Sequence, residues 1–231
     1  MEAQYTYEVI TATCPQRREP KESSEMVNQL LLGEPLRVIE QLPKWWKVHS
    51  IIDQYEGWVD PKLIALTKGE LKTLRQSSFL EHLKQGLYST YGAFSYDQVT
   101  PVKSIIEDAE KFIGAPYLWG GKTFMGIDCS GLMQVLWGVH GVELPRDASQ
   151  QVLLGHEITS IFEAQDGDLA FFENDIGKIT HVGIICIEEN KSKIIHASGI
   201  VRKDTLDQKG IFREEEQDYS HQLNTIKRVT P

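Results

Sequence analysis

The chain has 231 residues, of which 41% are hydrophobic and 25% charged, a composition typical of folded globular proteins. Its 33 acidic residues outnumber its 24 lysines and arginines, and the resulting net charge of −9 argues against nucleic-acid backbones and anionic lipid surfaces as partners. No apolar run approaches the roughly 18 residues that a membrane-spanning helix needs. We therefore expect a globular protein with neither a nucleic-acid nor a membrane partner.

The N-terminal part of the sequence consists of short alternating apolar patterns, separated by turns that contain glycine and proline. Such patterns, repeated about every ten residues, predict a small antiparallel barrel. The stretch LLLGEPLRVIEQLPKWWKVHS and the later YEGWVDPKLI resemble a bacterial SH3 (SH3b) domain. The resemblance implies a small all-β, SH3-like barrel for residues 1–66, which we predict to be the first domain.

The remaining chain divides into a connecting segment and a larger domain. Residues 67–100 have leucines at helical spacing, interrupted by glycines and serines, and we predict a structured linker there. Residues 101–231 begin with two apolar periodicities of helical type, the second starting near Asp128. Strand patterns follow at 168–172, 181–187, 193–198 and 225–229. Helices followed by an antiparallel sheet predict an α+β fold.

A cysteine stands where the second predicted helix begins. Cys129 follows Asp128 in the sequence GIDCSG. The unpaired N–H groups at a helix N-terminus favour thiolate over thiol, whereas the neighbouring carboxylate opposes that effect. Cys129 is therefore a candidate nucleophile that needs a basic partner, and the alternative is a buried structural cysteine. We expect the other two cysteines, Cys14 and Cys186, to be small apolar core residues.

Two histidines lie in apolar strand patterns that could form a hairpin. His181 begins the sequence HVGIICI and His196 lies in IIHAS, with a turn predicted around residues 188–191. If the loop has an even number of residues, the two imidazoles can oppose each other on one face, although the sequence does not fix that register. With Cys129 they match a nucleophile, a base and an orienting group, and the alternative is a structural role for each histidine.

A metal site is the competing interpretation of these cysteine and histidine residues. No pair of them has the short local spacing that is typical of zinc sites, and no carboxylate is an obvious fourth ligand. We therefore expect no metal and no other cofactor. The remaining histidines match no motif and are predicted to be structural or solvent-exposed: His49, His82, His140, His156 and His221.

Short motifs of the larger domain occur in the order found in a known enzyme family. They are PYLWGG, DCSG, PRDASQQ, GDL, HVGI and IHAS. In this order they resemble the NlpC/P60 family of papain-like cysteine peptidases, over residues 103–231. The resemblance implies a papain-like domain of helices packed on an antiparallel sheet. It also implies Cys129 as the nucleophile, His181 as the general base and His196 as the group that orients it. Tyr117 would then be a hydrogen-bond donor on the oxyanion side.

The gap between His181 and His196 is longer than is usual in that family. We expect the extra residues to be EENKS at the hairpin tip, where insertions are tolerated. A shift of register instead would put the role of His196 in doubt.

Together with an SH3b domain, the peptidase motifs resemble γ-D-glutamyl-L-diamino acid endopeptidases, which trim cell-wall peptides. The resemblance implies a small peptide substrate, L-Ala-γ-D-Glu-diamino acid, whose free L-Ala amine is held between the two domains. Asp128 is the expected carboxylate for that ammonium, and Arg146 the expected partner of a substrate carboxylate. Four other residues are candidate substrate contacts, and each of these candidates could instead support the fold: Ser130, Asp147, Ser149 and Tyr55.

The function that we predict is hydrolysis of the γ-D-glutamyl–diamino acid bond through a thiolate and an acyl-enzyme. The start of the sequence has no signal-peptide pattern, so we expect a cytoplasmic, monomeric enzyme that recycles wall fragments. Two alternatives stay open: a non-catalytic cell-wall peptide binding protein on the same fold, and an amidase or acyltransferase with the same nucleophile. The sequence does not indicate whether the diamino acid is diaminopimelate or lysine.

Overall fold

The computed structural model describes residues 6–67 and 102–230. The chain divides into two compact units, residues 1–98 and 99–231. The predicted linker, 67–100, lies outside the described residues from residue 68 onward. In the parts of the chain that are described, no helix combines the length and the apolar character that crossing a membrane requires.

The described part of the N-terminal unit consists of strands and one short 3-10 turn at Pro61–Leu63. The strands are β1 (Tyr7–Val9), β2 (Thr13–Arg17), β3 (Met26–Leu31), β4 (Pro35–Gln41), β5 (Trp46–Ser50), β6 (Glu56–Val59) and β7 (Ile64–Leu66). They form one antiparallel sheet in the order β3-β2-β6-β5-β4-β1-β7. Each strand contributes one buried side chain to a common core: Val9, Cys14, Leu30, Leu36, Val48, Val59 and Ile64. The all-β prediction for this unit is confirmed.

A buried polar network also holds the N-terminal unit together. Asn28 Nδ2 donates hydrogen bonds to Gln16 Oε1 and to Asp53 Oδ2, both at 3.0 Å. Gln16 Nε2 donates to the carbonyl of Tyr55 at 3.3 Å, and the backbone N–H of Tyr55 donates to Asp53 Oδ1 at 3.1 Å. Tyr55, a candidate substrate residue, is half-buried and contributes backbone groups to this network.

In the described part of the C-terminal unit, helices precede the main sheet. The helices are α1 (Val102–Glu110), α2 (Cys129–Val139) and the short α3 (Ala148–Gln151), with a small ribbon of β8 (Lys122–Thr123) and β9 (Gly126–Ile127) before α2. The main strands are β10 (His156–Ile158), β11 (Leu169–Glu173), β12 (Ile179–Glu188), β13 (Lys191–Ser198), β14 (Ile200–Leu206), β15 (Gly210–Arg213) and β16 (Asp218–Arg228). The α+β prediction is therefore confirmed.

The main sheet closes on itself. Its order is β10-β16-β11-β12-β13-β14-β15, and β15 also pairs with β16, so that only β10 lies outside the closed ring. Every strand of the ring contributes to one core: Ala170, Phe172, Ile185, Ile194, Leu206, Ile211 and Ile226. Because side chains alternate along a strand, His181 shares a face with Ile185, and His196 with Ile194. Both histidines therefore belong to the core-facing side of the sheet.

Two strands of this ring are absent from the sequence prediction. β14 and β15 lie between predicted strands, and β16 begins at Asp218 rather than at Thr225. In β14 three charged residues follow one another, Arg202, Lys203 and Asp204, which conceals the apolar alternation. The closure of the sheet depends on these strands and could not be predicted without them.

Candidate active site

Cys129 is the first residue of α2 and is only 5% exposed. Asp128 is the N-cap of this helix, and its Oδ1 accepts a hydrogen bond from the backbone N–H of Gly131 at 2.7 Å. An acceptor at this position satisfies one of the unpaired N–H groups of the first turn and so defines where the helix starts. Asp128 therefore fixes the helix N-terminus at which the thiol of Cys129 lies.

The carboxylate of Asp128 has several partners within the chain. Arg146 forms a two-pronged ion pair with it, in which Nη1 lies 3.0 Å from Oδ1 and Nη2 contacts Oδ2. The backbone N–H of Gly120 donates to Oδ2 at 2.7 Å, and Ser130 Oγ donates to Oδ1 at 3.3 Å. Both charged side chains are at most 3% exposed. This geometry favours a structural role for Asp128 and Arg146 over the substrate contacts that the sequence suggested.

The two predicted histidines form a continuous line of polar groups with an aspartate that no sequence pattern singled out. His181 Nε2 lies 2.8 Å from His196 Nδ1, and His196 Nε2 lies 2.9 Å from Asp204 Oδ2. Asp204 also accepts hydrogen bonds from Arg202, at 2.6 Å from Nε and 2.8 Å from Nη2. All three members of the line are buried. They lie on the adjacent strands β12, β13 and β14, which hold them at fixed spacing.

The hairpin of β12 and β13 determines how the imidazoles meet. Its turn is formed by Glu189 and Asn190, whose φ angles are both positive, 49° and 62°. Such two-residue turns match the twist of a hairpin. The ladder that continues from this turn places His196 opposite Gly183 rather than opposite His181. The imidazoles therefore share a face as diagonal neighbours. The direct opposition considered from the sequence is not observed, whereas residues 188–192, EENKS, do lie at the hairpin tip, as a two-residue turn between paired residues.

Gly183 provides the room for this diagonal arrangement. A Cβ atom at this position would lie 2.7 Å from Cγ1 and Cδ1 of Ile194, and 2.8 Å from Cβ of His196. Contacts this short force a displacement of the neighbouring strand. The glycine of the HVGI motif, Gly183, therefore lies opposite His196, which carries the second imidazole on β13.

A third histidine, His221 on β16, packs against the pair. Its ring stacks on that of His181 with centroids 4.2 Å apart and an interplanar angle of 24°, and it lies edge-on to His196 at 5.8 Å. Phe172 borders both His181 and His221, with centroid distances of 5.7 and 5.9 Å. His221 is half-buried, which agrees with the structural role that was one of the two expectations, and its contact with the pair was not foreseen. Its strand has no apolar alternation that could have indicated this.

The three histidines raise the question of a metal ion, since their ligand nitrogens lie within 4.8 Å of one another. A metal centre requires lone pairs that converge on one point. The rings of His181 and His221 are stacked, so their lone pairs lie in two nearly parallel planes and not in directions that meet at one point between them. His196 Nδ1 is already within hydrogen-bond distance of His181. The arrangement fits a supported general base better than a metal site.

Burial dominates the acid–base properties of the thiol. It raises the pKa of Cys129 to about 12, and the charge of Asp128 acts in the same direction. A hydrogen bond from the backbone N–H of Val182 opposes this rise. Val182 follows His181 on β12, and α2, which begins with Cys129, packs on this strand. The thiolate that a helix N-terminus alone would favour is therefore not the resting form.

The imidazole beside the thiol is neutral as well. Burial lowers the pKa of His181 well below its ordinary value, and the neighbouring His196, His221 and Arg213 lower it further. At neutral pH the resting site therefore contains a protonated thiol and an unprotonated imidazole, which can accept the thiol proton.

The backbone of Tyr117 lies close to the start of the helix that carries Cys129. It forms a β-bridge with Ile127, two positions before Cys129. Burial raises the pKa of its phenol, and Cys129 and Asp128 raise it further. The hydroxyl therefore keeps its proton at neutral pH.

The other substrate candidates lie on the segment that leads into α3. Ser130 Oγ accepts a hydrogen bond from Arg146 Nη1 at 2.8 Å, so Ser130 belongs to the buried ion-pair network. Asp147 is the half-buried N-cap of α3, and Ser149 is exposed on this helix. Gln151 Nε2 donates to the carbonyl of Ser130 at 3.1 Å, which holds α3 against the first turn of α2. Of the two candidate carboxylates, Asp128 is therefore buried in the core and Asp147 is half-buried.

Two family models match the chain, one in each unit. Residues 17–63 match the bacterial dipeptidyl-peptidase Sh3 domain, and residues 114–218 match the NlpC/P60 family. The second match contains the thiol, the line of imidazoles and Asp204, whereas His221 lies beyond it.

Three relatives cover different parts of the chain. The gamma-D-glutamyl-L-lysine dipeptidyl-peptidase of Bacillus subtilis (strain 168) is 40% identical over 84 residues, 36% of this chain and 28% of that protein. The probable endopeptidase NlpC of Escherichia coli (strain K12) is 34% identical over 111 residues, 46% of this chain and 70% of that protein. Dipeptidyl-peptidase 6 of Lysinibacillus sphaericus is 24% identical over 213 residues, 68% of this chain and 78% of that protein. The match therefore spans little more than a quarter of the Bacillus subtilis protein.

A solved structure has the same fold. The NlpC/P60 endopeptidase from Photobacterium damselae subsp. piscicida aligns with a TM-score of 0.64 at 16% identity, over 96% of this chain and 70% of its own. The family model contains the motifs that carry the thiol and the imidazoles, and the Escherichia coli relative is matched over most of its length. This chain therefore belongs to the NlpC/P60 family and carries a bacterial SH3 domain before the family domain in its sequence.

Proposed function

We propose that this chain is a cysteine peptidase that hydrolyses γ-D-glutamyl–diamino acid bonds in small peptidoglycan-derived peptides with a free N-terminal L-Ala. The observation that carries the proposal is the contact of Cys129 with the strand of His181, whose imidazole His196 holds in turn. The names of two relatives, a gamma-D-glutamyl-L-lysine dipeptidyl-peptidase and a dipeptidyl-peptidase, support a reaction that releases a dipeptide.

The first half of the proposed reaction forms an acyl-enzyme. The neutral imidazole of His181 accepts the proton of the Cys129 thiol, and the sulfur attacks the γ-carbonyl carbon of D-glutamate. The negative charge that develops on the carbonyl oxygen needs hydrogen-bond donors. The Tyr117 hydroxyl, which keeps its proton, and the backbone N–H of Cys129 are suited to supply them.

The second half releases both products. The imidazolium of His181 protonates the amine of the diamino acid as the C–N bond breaks, and the amine leaves. A water molecule then loses a proton to the same imidazole and attacks the thioester. L-Ala-γ-D-Glu is released, and the thiol regains its proton. His181 therefore acts as base and acid in turn, which is why its neutral resting state matters.

Recognition of the free amine requires a carboxylate that a substrate can reach. Asp128 is buried and already paired with Arg146, so a second cation would have to displace a bidentate ion pair. Asp147 begins α3, which Gln151 holds against the first turn of the nucleophile's helix. We assign the ammonium to Asp147, with Ser149 on the same helix as a further polar contact.

Two other functions compete with this proposal. A pure binding protein has no use for a thiol aligned with two imidazoles and a carboxylate, so this line argues against it. An amidase or acyltransferase would use the same chemistry on a different bond. The two are separated by the products formed, and by whether water or an added amine accepts the acyl group.

The decisive experiment is mass spectrometry of L-Ala-γ-D-Glu-diaminopimelate, its lysine analogue and their N-acetylated forms after incubation with the full chain. We expect wild type to release L-Ala-γ-D-Glu from the free peptides and to spare the acetylated ones. Cys129→Ala is expected to release nothing. Binding of the peptides without any cleavage would instead support the binding protein.

A matched pair of acid-to-amide variants tests the amine site. We expect Asp147→Asn to raise KM for the free peptides about 10- to 100-fold, because a hydrogen bond to a charged group is lost. Glu107→Gln, an exposed carboxylate on α1, provides the control and is expected to leave KM unchanged. Equal KM values for the two variants would exclude Asp147 from amine recognition.

A further inference from the structure

Asp204 occupies the far end of the line of imidazoles, where nothing in the proposed reaction requires a negative charge. Its carboxylate is buried, accepts from His196 and holds both Nε and Nη2 of Arg202. A buried carboxylate is retained at a cost unless it is paired and hydrogen-bonded. Asp204 lies two residues after Arg202 on β14 and on the same face as His196. The presence of a buried carboxylate at this position therefore needs an explanation.

The carboxylate of Asp204 can only accept hydrogen bonds. Burial raises its pKa, but the hydrogen bonds from His196 and Arg202 outweigh this and lower it to about 2. An ionised carboxylate has no proton to donate. The nitrogen that faces it, His196 Nε2, must therefore carry a proton.

The position of the proton on His196 determines the position of the proton on His181. A neutral imidazole has one N–H and one lone pair. If His196 is protonated at Nε2, its Nδ1 is an acceptor, and the group 2.8 Å away, His181 Nε2, must donate to it. His181 then carries its proton on Nε2 and has a lone pair on Nδ1. That nitrogen is the one left over to accept the thiol proton of Cys129.

We propose that Asp204 is a positioning residue that fixes His181 in the tautomer whose Nδ1 is free to accept the proton of Cys129. The usefulness of this tautomer rests on the proposed function. The positions of the two ring protons themselves do not depend on any substrate. His196 transmits the effect, and Arg202 keeps the carboxylate in place. Asp204 touches neither the thiol nor a reacting atom.

The other groups around the imidazoles do not impose this tautomer. His221 stacks on the face of His181 and hydrogen-bonds to Ser220 Oγ through its own Nδ1 at 2.9 Å. Arg213 Nη2 donates to Ser198 Oγ at 2.8 Å. Neither contact involves the nitrogens of the line. Asp204 is thus the group that determines which nitrogen of each imidazole carries the proton.

The central variant is Asp204→Leu, which is close in size and has no hydrogen-bond acceptor. An amide would not be a clean test, because Oδ2 of Asp204 accepts from both His196 and Arg202 Nε and an amide oxygen could do the same. Without the carboxylate, the charge of Arg202 favours a lone pair on His196 Nε2, so we expect both tautomers to reverse. We expect kcat for the peptide to fall on the order of 10²- to 10⁴-fold, as when an acid that fixes a catalytic imidazole is lost. KM is expected to change less than about threefold, because no substrate contact is lost. Glu157→Gln, an exposed carboxylate on the edge strand β10, is the control.

Two measurements need no peptide and so separate this inference from the proposed function. The ¹⁵N chemical shifts of the histidine rings report which nitrogen carries the proton, and we expect Nε2–H at His181 and His196 in wild type and Nδ1–H at both in Asp204→Leu. The rate of Cys129 alkylation by iodoacetamide is expected to fall with it. Asp204→Glu, which restores a carboxylate, is expected to recover the wild-type tautomers.

The ¹⁵N spectrum of wild type alone decides the matter if Asp204→Leu fails to fold. Nδ1–H at His181 in wild type overturns the proposal. So do unchanged tautomers in Asp204→Leu, or an alkylation rate within about threefold of wild type. Expected tautomers without peptide hydrolysis would leave Asp204 as the positioning residue and reject the substrate instead.

Discussion

Cys14 in the N-terminal unit and Cys129 in the C-terminal unit are both buried, and burial is the main cause of the raised pKa of each thiol. Cys14 lies in the apolar core of the N-terminal sheet, where burial, with Glu34 and Asp60, raises its pKa to about 12. Cys129 reaches about 12 through burial and Asp128. The difference lies in the surroundings: Cys129 begins a helix that packs on β12, the strand that carries the neutral imidazole of His181. If the proposed function holds, the reactive thiol of this protein is marked by the base that can take its proton, and not by a low pKa.

The largest expected effect separates the two thiols directly. Cys129→Ala should reduce peptide hydrolysis roughly 10⁴-fold or more, because the nucleophile is lost. Cys14→Ala should leave kcat and KM unchanged and cost about 1–3 kcal/mol of stability through the cavity that it creates. Steady-state kinetics and urea unfolding of both variants provide the comparison. Loss of activity in Cys14→Ala at full folding would contradict it.

The second-largest expected effect follows from a difference between the buried polar networks of the two units. Arg146 is a charged member of the network in the C-terminal unit, whereas Asn28 is a neutral member of the network in the N-terminal unit. Arg146→Met leaves the carboxylate of Asp128 buried without its cation and should cost about 3–5 kcal/mol. Asn28→Ala removes an amide from the network of the N-terminal unit and should cost about 1–3 kcal/mol. Hydrogen exchange of the amides in α2 and in β3 measures each loss in its own unit. A smaller loss for Arg146→Met than for Asn28→Ala would refute the ranking.

A matched pair of glycine substitutions sharpens the comparison further. Gly183→Ala pushes Ile194 and His196 away and should cost about 1–3 kcal/mol and lower kcat about tenfold. Gly57→Ala brings a Cβ to 2.6 Å from Gln16 Cγ in the N-terminal unit, and should reduce stability alone. Thermal unfolding and kcat, measured on the same preparations, test this. Equal kcat for the two variants would mean that β13 absorbs the displacement without moving the imidazole.

The smallest effect concerns pH. The pKa of His181 lies below its ordinary 6.5, so the imidazole becomes protonated, and stops acting as a base, only when the pH falls below that value. We therefore expect kcat/KM to stay level from neutral pH down to 6.5 and to decline below it. His221→Gln removes one of the groups that lower this pKa and should move the decline to higher pH by less than about one unit. A decline centred at or above 6.5 in wild type would contradict the assignment.

Much of the site could be predicted from the sequence because its members lie in locally regular patterns. Cys129 precedes an apolar helical period, and His181 and His196 alternate with apolar residues in a hairpin. Their shared face follows from that alternation. The diagonal offset does not, because it depends on the turn at Glu189–Asn190, which fixes the register.

The remaining members could not be found because they are defined by distant pairings. Asp204 follows Arg202 and Lys203 and has the pattern of an exposed charged stretch until β14 pairs with β13. His221 approaches His181 only because β16 pairs with β11, which itself pairs with β12. Asp128 and Arg146 are the opposite case. Their charges suggest substrate binding in the sequence, and the fold pairs them with each other.

The closure of the main sheet has a consequence for how the protein matures on the ribosome. The pairing of β15 with β16 completes the ring, and β16 carries the histidine that stacks on the base. The helix that begins with Cys129 emerges from the ribosome before any strand of the ring, and β16 emerges after the other five. A nascent chain therefore presents its thiol unburied at first, and the line of His181, His196 and Asp204 can form only after β14 has emerged.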